Sequence, residues 1–192
     1  MKKLTFLMAA LVMLAACNNA SKKSEATAAA EQAPTQDTIV YEHEYLVKVG
    51  DMAPDFTLKY TDGSEFTLSA LRGKVVMLQF TASWCGICRG EMPHIESRIW
   101  QPHKDNADFV LVGVDREEPR EVAEEYTAKI GTTYPMLLDE KGDVFASYAL
   151  RKSGITRNVL IDRDGRIVKL TRRFVEPEFN DLVATIDSLL SK

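Results

Sequence analysis

Two cysteines three positions apart, in Trp84-Cys85-Gly86-Ile87-Cys88, sit where an apolar run gives way to a helical pattern, and this junction constrains the fold more than any other stretch. Upstream, Val75-Val76-Met77-Leu78-Gln79-Phe80-Thr81 is nearly continuous in apolar side chains and has the length of a buried strand. Downstream, Arg89-Gly90-Glu91-Met92-Pro93-His94-Ile95-Glu96 spaces polar and apolar residues as a helix does. A C-x-x-C that opens a helix sets its first thiol beside backbone N–H groups lacking helical partners, at the positive end of the helix dipole. Both effects favour thiolate over thiol. The second thiol, one turn on, can then close a disulfide.

The rest of the chain supplies an α/β frame for that junction. Asp55 to Leu58, the turn Thr61-Asp62-Gly63-Ser64 and the returning Glu65 to Leu68 read as an N-terminal β-hairpin. Ser69 to Arg72, ahead of Gly73, reads as one helical turn. Ala107 to Asp115 is a second buried strand, and the helix formers from Glu118 to Ile130 begin near Pro119 and stop at Gly131. Strands alternating with helices imply a parallel core. Tyr134 to Asp139 is a short strand, Asp143 to Leu150 a short helix, and Arg163-Asp164-Gly165 turns a second hairpin. Phe179, Leu182, Val183, Ile186, Leu189 and Leu190 share one face of a closing amphipathic helix. The helix after C-x-x-C is expected to reach about Trp100 and to kink at Pro93, which has no N–H to donate. A chain of 192 residues can build one such core, and the domain is placed at 41–192.

The N-terminus is a different kind of sequence. Lys2-Lys3 precede 13 residues of mainly apolar character, Leu4 to Ala16, and then Cys17. A membrane-spanning helix needs about 20 apolar residues, so residues 1–17 read as a signal peptide. Leu14-Ala15-Ala16-Cys17 resembles the lipobox of bacterial lipoproteins, which implies lipidation at Cys17 and export to the cell envelope, facing the periplasm. Residues 18–40 carry Asn, Ser, Lys, Ala, Glu, Gln and Thr without an apolar period and read as a linker. Lipidating Cys17 leaves Cys85 and Cys88 as a pair, and so short a disulfide loop is better explained by chemistry than by stability. Removing the leader leaves 22 basic against 28 acidic side chains, so no basic field exists to hold nucleic acid.

The segment from Phe80 to Pro93, with W-C-x-x-C and E-x-P, resembles the active-site segment of the TlpA/ResA branch of the thioredoxin-like redoxin superfamily. Gly50 to Leu58 and Val159-Leu160-Ile161-Asp162 with Asp164-Gly165 extend the likeness over nearly the whole domain. The resemblance implies a thioredoxin-like fold, with a central mixed β-sheet flanked by α-helices, and an extracytoplasmic thiol-disulfide oxidoreductase that uses no cofactor. Carried over, Cys85 is the nucleophile, Cys88 the resolving thiol and Glu91 an acidic residue able to pass protons to Cys88. Gln79 falls where thioredoxin keeps a buried aspartate, and glutamine cannot take a proton. The substrate-binding surface is expected to comprise Trp84, Gly86, Ile87 and the loop Ile155, Thr156, Arg157. Thr156 stands where the family usually has a cis-proline; its hydroxyl is expected to face the cleft, and Arg157 to be an exposed side chain at its edge. The implied partners are disulfide-bearing envelope proteins, a DsbD/CcdA-like membrane electron donor, and the membrane itself through the lipid on Cys17.

Other chemistries fit the residues less well. A peroxiredoxin-like peroxidase needs a proline and a threonine or serine at fixed spacing before its nucleophile, and Ala82 stands three residues before Cys85. A non-catalytic binding lipoprotein on the same fold draws its support from the missing proline. A c-type haem motif needs histidine where Arg89 stands, structural zinc needs a second ligand pair, and His43, His94 and His103 are scattered, so no metal site is expected.

Overall fold

The computed structural model describes residues 42–192. The expected leader with Cys17, the linker and Tyr41 lie outside the described residues. In chain order, a 3-10 turn at Glu42–Glu44 is followed by β1 (Thr57–Tyr60), β2 (Glu65–Thr67), a 3-10 turn (Leu68–Leu71), β3 (Val75–Thr81) and α1 (Gly86–Ile95). The helical path continues through a π-helical turn (Glu96–Trp100) into α2 (Gln101–His103). Then come β4 (Phe109–Arg116), α3 (Arg120–Ile130), β5 (Met136–Asp139), α4 (Asp143–Tyr148), β6 (Arg157–Ile161), β7 (Ile167–Arg172) and α5 (Glu176–Leu190).

The strands form one mixed sheet in the order β2-β1-β5-β4-β3-β6-β7. β3, β4 and β5 pair in parallel, as the alternation of strand and helix requires, while the β1–β2 and β6–β7 hairpins add antiparallel edges. Every residue of β3 is buried, because helices cover both faces. Its alternation divides the core: Val76, Leu78 and Phe80 pack with Phe145 and Tyr148 of α4. Val75 and Met77 turn the other way, toward Met92 and Ile95 of α1, Ala123 and Tyr126 of α3, and Phe179, Leu182 and Ile186 of α5.

Gly131 closes α3 in the left-handed region (φ 81°), where a side chain would be strained. The helix after C-x-x-C extends to His103, beyond Trp100. With no N–H at Pro93, the path widens one turn later: the Gln101 N–H reaches back five residues to Glu96 O, and Ser97 Oγ donates to Pro93 O at 2.8 Å. No described helix is long and apolar enough to cross a membrane.

Candidate active site

β3 delivers the chain to the edge of the sheet, Ala82 to Trp84 turn it, and α1 begins at Gly86 with Cys85 as its N-cap. Cys85 Sγ accepts the Cys88 N–H at 3.1 Å, so the sulfur itself satisfies one of the helix's free donors. Cys85 and Cys88 form a disulfide. Cys85 retains 7% exposure and Cys88 none, so only the first sulfur can be reached from outside. Trp84 and Ile87 project beside it, 59% and 46% exposed.

The loop before β6 comes to the same place. Thr156 Oγ1 lies 3.2 Å from Cys85 Sγ and 3.3 Å from Cys88 Sγ, and the side chain is buried. Ile155 is buried as well. Arg157 corrects the sequence reading: it is fully buried rather than exposed at the cleft. Thr156 and Asn158 reach α1, and the residue between them is turned to the opposite side of the sheet, as strand alternation demands. There the Arg157 guanidinium lies 4.4 Å from the centre of the Tyr45 ring and donates to His43 O (2.7 Å), Gly154 O (3.2 Å) and Ser153 Oγ (2.9 Å).

Beneath the sulfurs is a buried polar group. Glu91, on α1 one turn after Cys88, accepts from Asn158 Nδ2 at 2.7 Å through Oε1, while Oε2 has no partner. Asn158 Nδ2 also donates to Thr171 Oγ1 at 3.0 Å. Gln79, paired with Asn158 across β3 and β6, accepts from Tyr134 OH at 2.6 Å. Burial pushes the Glu91 carboxyl up to about 7, against smaller opposing effects of the Asn158 and Gln79 amides.

An acidic pair, Glu118 and Asp115, lies at the loop that carries Trp84. Glu118 accepts both the Ser83 N–H and the Ser83 hydroxyl at 2.6 Å. Behind it, Asp115 at the end of β4 is fully buried with no donor to either oxygen. Burial first, and the neighbouring Glu118 second, push the Asp115 carboxyl up to about 8. Sequence reasoning missed Asn158, Asp115, Glu118 and Ser83. Asn158 follows Arg157 at the start of β6 and Asp115 precedes Arg116 at the end of β4, so neither interrupts an apolar run as Gln79 does, and the strand pattern did not mark them.

His94 stacks on Phe174 with ring centres 4.6 Å apart, and His103 Nε2 lies 3.0 Å from an Asp187 oxygen. Among the described residues no group of three or more His, Cys, Asp or Glu is placed to hold a metal ion.

A cysteine pair at the N-terminus of the helix that leaves a central strand of a mixed, helix-flanked sheet defines a thioredoxin-fold dithiol protein. The chain belongs to the redoxin family, whose model matches residues 48–186. ResA, a thiol-disulfide oxidoreductase, is 32% identical in Geobacillus thermodenitrificans over 124 residues, 65% of this chain and 69% of the relative. In Halalkalibacterium halodurans ResA is 30% identical over 143 residues, 72% and 78% of the two chains. Among solved structures, a Bacteroides thetaiotaomicron protein described provisionally as a protein disulfide isomerase is 61% identical, with a TM-score of 0.76 over 78% of this chain and 94% of its own. A Chlorobium tepidum protein, provisionally the thiol:disulfide interchange protein DsbE, is 28% identical with a TM-score of 0.64, over 75% and 99%. The chain is a thiol-disulfide oxidoreductase with Cys85 and Cys88 as its dithiol.

Proposed function

We propose that this protein reduces disulfides of envelope proteins from a lipid-anchored position outside the cytoplasm. Cys85 attacks the substrate disulfide as thiolate, and Cys88 resolves the mixed disulfide. Glu91 takes the Cys88 proton during resolution and returns it when the dithiol is regenerated. The observation that carries this reading is the asymmetry of the two sulfurs: Cys85 reaches solvent at a helix N-cap, while Cys88 is sealed on the same helix as a carboxyl held near 7. Trp84, Gly86 and Ile87, exposed beside Cys85, form the surface against which the substrate lies; Ile155, Thr156 and Arg157 are buried and support it from behind.

Export rests on the leader 1–17, with Cys17 as the lipidated residue and 18–40 as the tether to a domain at 41–192. A reductase outside the cytoplasm must receive electrons through the membrane, which calls for a DsbD/CcdA-like donor. The test is insulin-disulfide reduction by the full chain against Cys85→Ser, coupled to redox titration with glutathione. Cysteine-dependent reduction at a low potential is expected; a potential near the oxidising end, about −120 mV, overturns the reductase direction.

A further inference from the structure

We propose that the Thr156 hydroxyl is a catalytic hydrogen-bond donor that serves the Cys85 and Cys88 thiolates in turn. The inference rests on the roles given above to the two cysteines. Thr156 Oγ1 is 3.2 Å from one sulfur and 3.3 Å from the other, and these are the contacts recorded for it among the described residues. In the disulfide neither sulfur carries a proton, so the hydroxyl is necessarily the donor. A disulfide sulfur is a weak acceptor and a thiolate a strong one. The bond therefore strengthens when a sulfur becomes thiolate, so it favours thiolate over thiol and raises the fraction of the attacking form at a given pH.

The donor is held in place before the reaction begins. The Thr156 carbonyl accepts from the Arg173 N–H at 3.1 Å and from Arg172 Nη1 at 3.4 Å. The next residue, Arg157, is locked by three hydrogen bonds on the opposite face. With the heavy atoms fixed within reach of both sulfurs, only the O–H bond has to rotate. Burial of Thr156 and Cys88 excludes water that would compete for the inner thiolate, while Cys85 keeps its narrow opening toward the substrate. A proline, the residue expected at this position, carries no side-chain donor.

Cys85 thiolate, bonded by the Thr156 hydroxyl, attacks one sulfur of the substrate disulfide; that S–S bond breaks, the first substrate thiolate leaves, and a mixed disulfide forms. Cys88 gives its proton to Glu91, and the hydroxyl turns to the new Cys88 thiolate. This thiolate attacks Cys85 Sγ, the mixed disulfide breaks, the second substrate thiolate leaves, and the Cys85–Cys88 disulfide forms. Two electrons pass to the substrate, and Thr156 keeps its proton throughout.

The experiment titrates the thiols themselves in the reduced full-length protein, by alkylation rate and thiolate absorbance against pH. Thr156→Val removes the hydroxyl at nearly constant shape and is expected to raise the Cys85 pKa by about one pH unit, a tenfold loss of thiolate; Thr156→Ser restores it. In a Cys85→Ser background the same substitution raises the Cys88 pKa. An unchanged Cys85 pKa in Thr156→Val overturns the proposal, and a Cys88 pKa that does not move overturns its second half. No substrate is needed, so the outcome is separable from the assigned roles. If insulin reduction proves independent of Cys85 while Thr156→Val still raises its pKa, the roles fail and the donor stands.

Discussion

Asn158 Nδ2 donates to Glu91 Oε1 at 2.7 Å, bridging β6 to α1 beneath the two sulfurs, and leaves Oε2 of the same carboxylate without a partner. One oxygen is anchored and the other accepts no hydrogen bond. With the carboxyl pushed up to about 7, Glu91 changes charge in the range where thiol exchange operates. Glu91→Gln keeps the shape and an acceptor for Asn158 but cannot take a proton. Resolution of the mixed disulfide, followed by acid quench, is expected to fall about 100-fold at neutral pH and to lose the rise with pH that centres near 7 in the parent protein. A profile with that rise intact removes Glu91 from the mechanism.

Asn158 tunes the same group. Its amide favours the charged carboxylate, so Asn158→Ala is expected to move the Glu91 inflection to higher pH. The shift is read from the pH dependence of resolution or from carboxyl resonances in NMR. Movement to lower pH contradicts the hydrogen bond as drawn.

Glu91 also makes stability depend on pH. Its folded pKa lies above the ordinary value of 4.5, so the folded chain binds this proton more tightly than the unfolded chain. The associated stability is complete below about 4.5 and is lost as pH rises through about 7, a swing of about 3 kcal/mol. Asp115 acts in the same direction over a wider window, from its ordinary 3.8 up to about 8. Asp115→Asn is therefore expected to gain stability over the parent as pH rises from 5 to about 8, by urea denaturation at fixed pH. Parallel profiles for the two proteins show that Asp115 is ionised in the fold.

Much of this was legible in the sequence because the strands and helices carry strong periodic signals. The run from Val75 to Thr81, the Gly131 stop and the apolar face of α5 each lead to the observed element. Cys85, Cys88 and Glu91 are one helical turn apart, so their common position follows from local spacing. What was not legible depends on register across the sheet. Arg157 is a charged residue next to the Thr156 loop, and a sequence alone favours leaving it in water. Its burial follows from β6 pairing with β3 so that Arg157 stands opposite Phe80, on the face occupied by Tyr45 and Phe145. The meeting of Asn158 with Glu91, 67 positions apart, and of Glu118 with Ser83, 35 apart, likewise requires the assembled sheet.

Trp84 offers a test that separates recognition from chemistry. At 59% exposure it contributes little to the core, so Trp84→Ala is expected to shift unfolding free energy by no more than about 0.5 kcal/mol. Next to Cys85, itself only 7% exposed, however, its indole offers a broad apolar surface to a protein substrate. A small aromatic disulfide needs only Cys85, whereas a protein disulfide must also desolvate against the surrounding side chains. Truncation is therefore expected to slow reduction of insulin about tenfold or more while leaving reduction of the small disulfide nearly unchanged. Equal losses on both substrates would place Trp84 with the thiolate instead, as a shield that sets its reactivity.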